Sequence, residues 1–141
     1  MTRDEMMACL LDRRRYWATK DVAGLTATHA PDGEIESPMF GTVRGHAEIE
    51  RVYRKLFEVF DDMTFDDAEP LIDGDRAVQP FRARATHNHE LFGIPASGRR
   101  FELHGALFFA FADGRIAQER RLYDFTALLV QVGVLKPKVP A

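Results

Sequence analysis

The sequence predicts an α+β fold from three observations. Its first part carries apolar side chains at helical spacing, and Ile49, Val52, Tyr53, Leu56, Phe57 and Phe60 form the clearest stripe. Its second part is a series of extended stretches. Asp73-Gly74 and Asp113-Gly114 punctuate those stretches in the way that hairpin turns do. Helices gathered ahead of an antiparallel meander imply helices packed on one face of a single sheet.

The elements follow in order. A first helix is expected from Thr2 to Ala18, opened by a capping box of Thr2 and Glu5, with Met6, Leu10, Arg13 and Trp17 on one stripe. A short helix after the cap residue Asp21 carries Val22, Leu25 and His29 on one side. Pro31-Asp32-Gly33 reads as a turn. Glu34–Ser37 is a short extended piece, and Met39-Phe40-Gly41 leads into a loop. The third helix covers His46–Phe60. Strands are then expected over Met63–Ile72, Arg76–His89, Phe101–Ala112 and Arg115–Asp124, with Pro80 marking an edge or a bulge. A last short helix runs from Phe125 to Val132, capped by Gly133, and the Pro-containing tail is expected to be loose.

Composition bounds the function. A chain of 141 residues without repeat or linker is one domain over 1–141. A net charge of −3 is too mild for a nucleic-acid surface, and the Arg13-Arg14-Arg15 run reads as a solvated helix face. The single cysteine, Cys9, excludes an internal disulfide and reads as packing. No apolar run is long enough to span a membrane and no leader is evident, so a cytoplasmic setting is expected. A long twisted sheet wrapped around helices leaves a conical hollow suited to a small molecule. With 11 Phe in the chain, that hollow would favour a flat apolar ligand.

Chemistry is sought on the last strand. Alternation puts Ile116, Gln118, Arg120, Leu122 and Asp124 on one face, and Ala117, Glu119, Arg121 and Tyr123 on the other. Both sets carry charge, so periodicity does not decide which is inside. If the first set faces the hollow, Asp124 is a desolvated carboxylate suited to general acid or base work. The alternative is that Asp124 caps the following helix. His87 and His89, two apart, would share one face of a strand; that spacing permits a metal but lacks a third His or Cys, so His87 reads as a ligand contact or a solvated strand end. His104 is either a ligand contact or a satisfied histidine, and His29 and His46 read as structural.

The stretch Thr86-His87-Asn88-His89 through Gly93-Ile94-Pro95-Ala96-Ser97-Gly98-Arg99 resembles the Thr-His to Gly-x-Pro-x-Ser-Gly-Arg loop of SnoaL-like polyketide cyclases. Asp113-Gly114-Arg115-Ile116, Tyr123-Asp124 and Leu128-Leu129-Val130-Gln131-Val132-Gly133 are similar to that family's C-terminal pattern, and Pro38, Gly41 and Gly45 fit its upstream one. The resemblance implies an NTF2-like, cone-shaped barrel, often a homodimer through the sheet. It implies ring closure of a polyketide by aldol chemistry, without metal or cofactor, with Asp124 as acid/base and His87 beside it. The chain departs from the pattern at Leu107, where the family often has His, at Arg120, where Trp is common, and at His89, which replaces Gly. The expected activity is acid/base chemistry on an apolar or aromatic carbonyl compound. Asp124 and His87 are the catalytic candidates. Arg120, Gln118, Trp17, Tyr53, Phe57, Phe40 and His104 are the candidate binding residues. A ketosteroid-isomerase-like isomerase, a hydrolase, or a non-catalytic binding or scaffold domain are the alternatives.

Overall fold

The computed structural model describes residues 1–136; the Pro-containing tail lies beyond them. Helices α1 (Arg3–Thr19) and α2 (Val22–Ala27) precede strands β1 (His29–Ser37) and β2 (Gly41–Arg44). Helix α3 (His46–Val59) leads into β3 (Thr64–Asp67), β4 (Leu71–Asp73), β5 (Arg76–Thr86), β6 (Arg100–Ala112), β7 (Arg115–Tyr123) and α4 (Phe125–Gln131). The strands form one curved, unclosed sheet in the order β2-β1-β7-β6-β5-β3, with β4 also on β5. No helix of the described residues is long and apolar enough to cross a membrane.

The helices begin where their caps require. Thr2 and Glu5 exchange the two bonds of a capping box, and Asp21 accepts from the Gly24 N–H at 2.8 Å. The expected stripe of α3 is the face that packs: Ile49, Val52, Tyr53, Leu56 and Val59 are buried. On β6, alternation buries Phe101, Leu103, Leu107, Phe109 and Phe111 and turns Phe108 outward.

Four expectations are corrected. The Pro31-Asp32-Gly33 turn is an irregular part of β1, which pairs parallel with β7 and shifts register between His29 and Glu34. A Cβ at Gly33 would lie 2.9 Å from Ala30 O and 3.2 Å from Ile116 O, so glycine permits that close approach. The loop expected after Phe40 is strand β2, antiparallel to β1, so the sheet is not a simple meander. The Met63–Ile72 strand is two, β3 and β4, both on β5. Pro80 explains that break. Its carbonyl accepts from Ala68 N, so its missing N–H falls on the same side, in the gap between β3 and β4. Finally, β5 ends at Thr86, which removes His87 and His89 from the strand.

Candidate functional site

The inner face of β7 supplies the polar side chains of the interior. Glu119 and Arg121 are buried and Tyr123 is half-buried, whereas Gln118, Arg120 and Leu122 face outward. The sheet and α1 enclose a cavity of about 50 Å³ lined by Trp17, Phe40, Phe65, Phe81, Arg121 and Tyr123, among mostly apolar neighbours. That volume is room for a water or two. Phe40, which touches the exposed Phe92 edge-on at 5.7 Å, brings the β1–β2 turn to the cavity wall.

Behind the cavity lies a buried charge cluster. Arg121 Nε donates to Glu119 Oε2 at 2.5 Å. Arg13 Nη2, from α1, stands 2.9 Å from Glu119 Oε1 as a close ion pair without hydrogen-bond alignment. Arg13 Nη1 donates to Tyr53 Oη at 2.7 Å, and Tyr53 Oη is 2.7 Å from His29 Nε2. Burial alone would raise the Glu119 carboxyl, but Arg13 and Arg121 bring it down to about 2. Burial, reinforced by the two guanidiniums, lowers His29 to about 3 against the pull of Glu119, so its imidazole is neutral. Burial raises the hydroxyls of Tyr53 and Tyr123, which stay protonated at neutral pH. Aromatic faces shelter the cations: Arg121 lies 5.2 Å from the Tyr53 ring centroid and 5.9 Å from that of Trp17, and Arg13 lies 5.2 Å from that of Phe109.

Several expected site residues lie elsewhere. The phase of β7 is the reverse of the one that would place Asp124 inside. Asp124 is exposed, and its Oδ1 accepts from Ala127 N at 2.9 Å as the N-cap of α4. Arg120 pairs with Glu36 across the outer face at 3.4 Å and not with Asp124. Gln118 is exposed on that face, and His104 pairs there with Glu102 at 3.1 Å. His87 is buried but does not line the cavity. Its Nδ1 accepts from Ser97 N at 3.3 Å and meets Ser97 Oγ at 3.0 Å, which ties down the loop after β5. His89 is exposed beside Asp61 at 2.9 Å. Trp17 and Phe40 do line the cavity. Phe57 buttresses the Trp17 ring at 5.2 Å, and Tyr53 sits behind it in the charge cluster.

The residues that sequence reasoning passed over are Arg13, Glu119, Arg121 and Tyr123. The run with Arg14 and Arg15 suggests a solvated face for Arg13, yet it is 2% exposed while those two are exposed. The available signal was its place on the Met6, Leu10, Trp17 stripe: a cation in an apolar row needs a buried partner. Leu107, at the departure from the family's histidine, lines the cavity as an apolar wall.

A family model for the SnoaL-like domain matches residues 13–119. No curated protein matches the chain in sequence. Among solved structures, a candidate SnoaL-like polyketide cyclase from Jannaschia sp. CCS1 superposes with TM-score 0.84 at 20% identity, over 95% of this chain and 94% of that one. IdmH, a candidate polyketide cyclase from Streptomyces antibioticus, superposes with TM-score 0.76 at 27% identity, over 91% and 98%. TerC, co-crystallised with polyporic acid, superposes with TM-score 0.76 at 19% identity, over 91% and 98%.

Proposed function

Because the chain belongs to the SnoaL-like domain family, we propose that it is a polyketide-cyclase-like enzyme that enolises an apolar carbonyl compound held in the cavity. The observation that carries this reading is the pair Arg121 and Tyr123, a cation and a neutral phenol that β7 delivers in phase to a wall otherwise mostly apolar. A carbonyl oxygen beside them is polarised, and enolate charge developing there meets fixed donors in a site of low dielectric. Neither Glu119 nor His29 suits the base: the first is held as a paired carboxylate and the second is buried behind Tyr53. On this reading the proton goes to Asp124, the base that the family resemblance implies, which caps α4 outside the cavity and must leave that cap to reach it. TerC's co-crystallisation with polyporic acid supports a small ligand in this scaffold.

The test uses 2-tetralone, a flat bicyclic ketone, and follows exchange of its α-hydrogens for deuterium by NMR. Asparagine caps a helix as well as aspartate does, so Asp124→Asn keeps α4 while removing the base. Exchange by the parent and a loss of roughly a hundredfold or more in the variant are expected. Exchange at the parent rate in the variant would refute the assignment of Asp124.

A second reading, a non-catalytic binding domain, is favoured by one observation: among the described residues no carboxylate or imidazole lines the cavity. Absence of exchange by the parent selects it. The family pattern also supports a homodimer through the outer sheet face, where Leu71, Phe108 and Leu122 stand exposed to one side of the Glu36–Arg120 pair. A patch with both signs of charge can be complementary to itself. Sedimentation should give a dimer, and Phe108→Glu a monomer.

A further inference from the structure

The charge cluster does not balance. Arg13 and Arg121 are two cations against the single carboxylate of Glu119, while Tyr53, Tyr123 and His29 are neutral. A further carboxylate, Asp67, attracts Arg13 from a distance, but its charge is matched by Arg14 at 3.4 Å. A surplus positive charge is thus buried beside the cavity, where an unpaired cation is costly. The hydrogen-bond inventory points to the same place. Arg121 Nη2 and Trp17 Nε1 are buried donors with no acceptor among the described residues, and both side chains line the cavity. Water can satisfy a donor but not a surplus charge.

We propose that the cavity binds its ligand through a negatively charged oxygen, placed between Arg121 Nη2 and Trp17 Nε1, with the attached flat ring among Phe65, Phe81 and Phe40. This rests on the same cavity as the enzymatic reading and adds the ligand's charge: a carboxylate, or the oxygen of an acidic phenol or enol, is preferred over a neutral carbonyl. Arg121 supplies charge and Trp17 a directed donor. The ring of Trp17, stacked on Phe65 at 5.2 Å between centroids, supplies one wall.

Trp17 is the one tryptophan of the chain, so its fluorescence reports on this site. Benzoate represents the carboxylate source, 4-nitrophenolate the acidic phenol or enol, and benzamide the neutral shape. Titrations followed by Trp17 emission and by calorimetry should show either anion binding about tenfold or more tightly than benzamide, the size of a charge-assisted hydrogen bond. The anion that binds more tightly identifies the source. Arg121→Met leaves Arg13 and Glu119 as a matched pair and should abolish the preference. Trp17→Phe keeps a ring while removing the donor, and should weaken anion binding several-fold by calorimetry. It decides the matter if Arg121→Met does not fold. Equal binding of benzoate and benzamide, a preference that survives both substitutions, or no binding of either anion at millimolar concentration overturns the proposal. The enzymatic reading fails separately: anion binding without 2-tetralone exchange sinks that reading alone, and exchange without anion preference sinks this one alone.

Discussion

Arg13 on α1 and Glu119 on β7 meet at 2.9 Å with almost no solvent exposure of either side chain, and this contact fastens the first helix to the last strand. The pair is tolerable because Arg121 takes the other carboxylate oxygen and the aromatic rings of Trp17, Tyr53 and Phe109 cover the cations. Glu119→Gln leaves two guanidiniums facing one neutral amide. A stability loss of about 3–5 kcal/mol is expected, the cost of orphaning a buried charge. Denaturant unfolding measures it. A loss below about 1 kcal/mol would mean that water reaches the cluster freely.

Acid should unfold this protein earlier than carboxylates alone would require. The unfolded chain binds a proton on His29 near pH 6.5, and the folded chain does so only near pH 3. Between those values the unfolded state holds more protons, so stability falls as the pH falls, by up to about 1.4 kcal/mol per pH unit for one site. Glu119 acts in the same direction between its unfolded value of 4.5 and about 2. Melting temperatures should therefore already drop from pH 7 to pH 5.5. His29→Gln should flatten the upper part of the acid limb and, below pH 4.5, reduce the slope to what Glu119 contributes. An unchanged slope above pH 5 in the variant would remove His29 as the cause.

The fold was legible where local signals and tertiary demands agree. The stripe of α3 and the two Asp-Gly turns are of that kind. Strand β1 was hidden because Pro31, Asp32 and Gly33 carry turn composition, and its parallel pairing to β7 joins segments far apart in the chain. The site was hidden for a different reason. Both faces of β7 carry charge, so alternation alone cannot choose between Glu119 with Arg121 and Gln118 with Arg120. Buried charges that face one another look, in sequence, like a solvated surface. Arg13 is the clue, since it breaks the apolar stripe of α1 at a buried position.

Asp124 separates a cap from a catalyst by chemistry that can be measured without a substrate. Its carboxylate accepts the Ala127 N–H, and Leu128 packs into the core just beyond. Asp124→Ala should lower stability by about 0.5–2 kcal/mol, and Asp124→Asn by only a few tenths. Thermal melts of the two variants give the comparison. Equal losses in both would show that the charge matters to α4 and not the hydrogen bond.

Gly105 sets the spacing between the sheet and the cavity wall. A Cβ there would lie 2.2 Å from Leu122 O on the paired strand β7 and 2.9 Å from the Phe81 ring. The Phe81 ring stacks on Phe65 at 4.8 Å, and Phe65 stacks on Trp17, so the glycine is the floor under a three-ring column. Gly105→Ala must move both a backbone carbonyl and that column, and a loss of about 1–3 kcal/mol is expected. The two conflicts can be told apart by adding Phe81→Leu. If the ring is the main obstacle, the double variant recovers stability relative to the sum of the singles. The shorter distance is to the backbone, so little recovery is expected. Trp17 emission should nevertheless shift in the single Gly105→Ala variant, because the displaced Phe81 ring reaches Trp17 through Phe65; emission identical to the parent would show that the column had not moved.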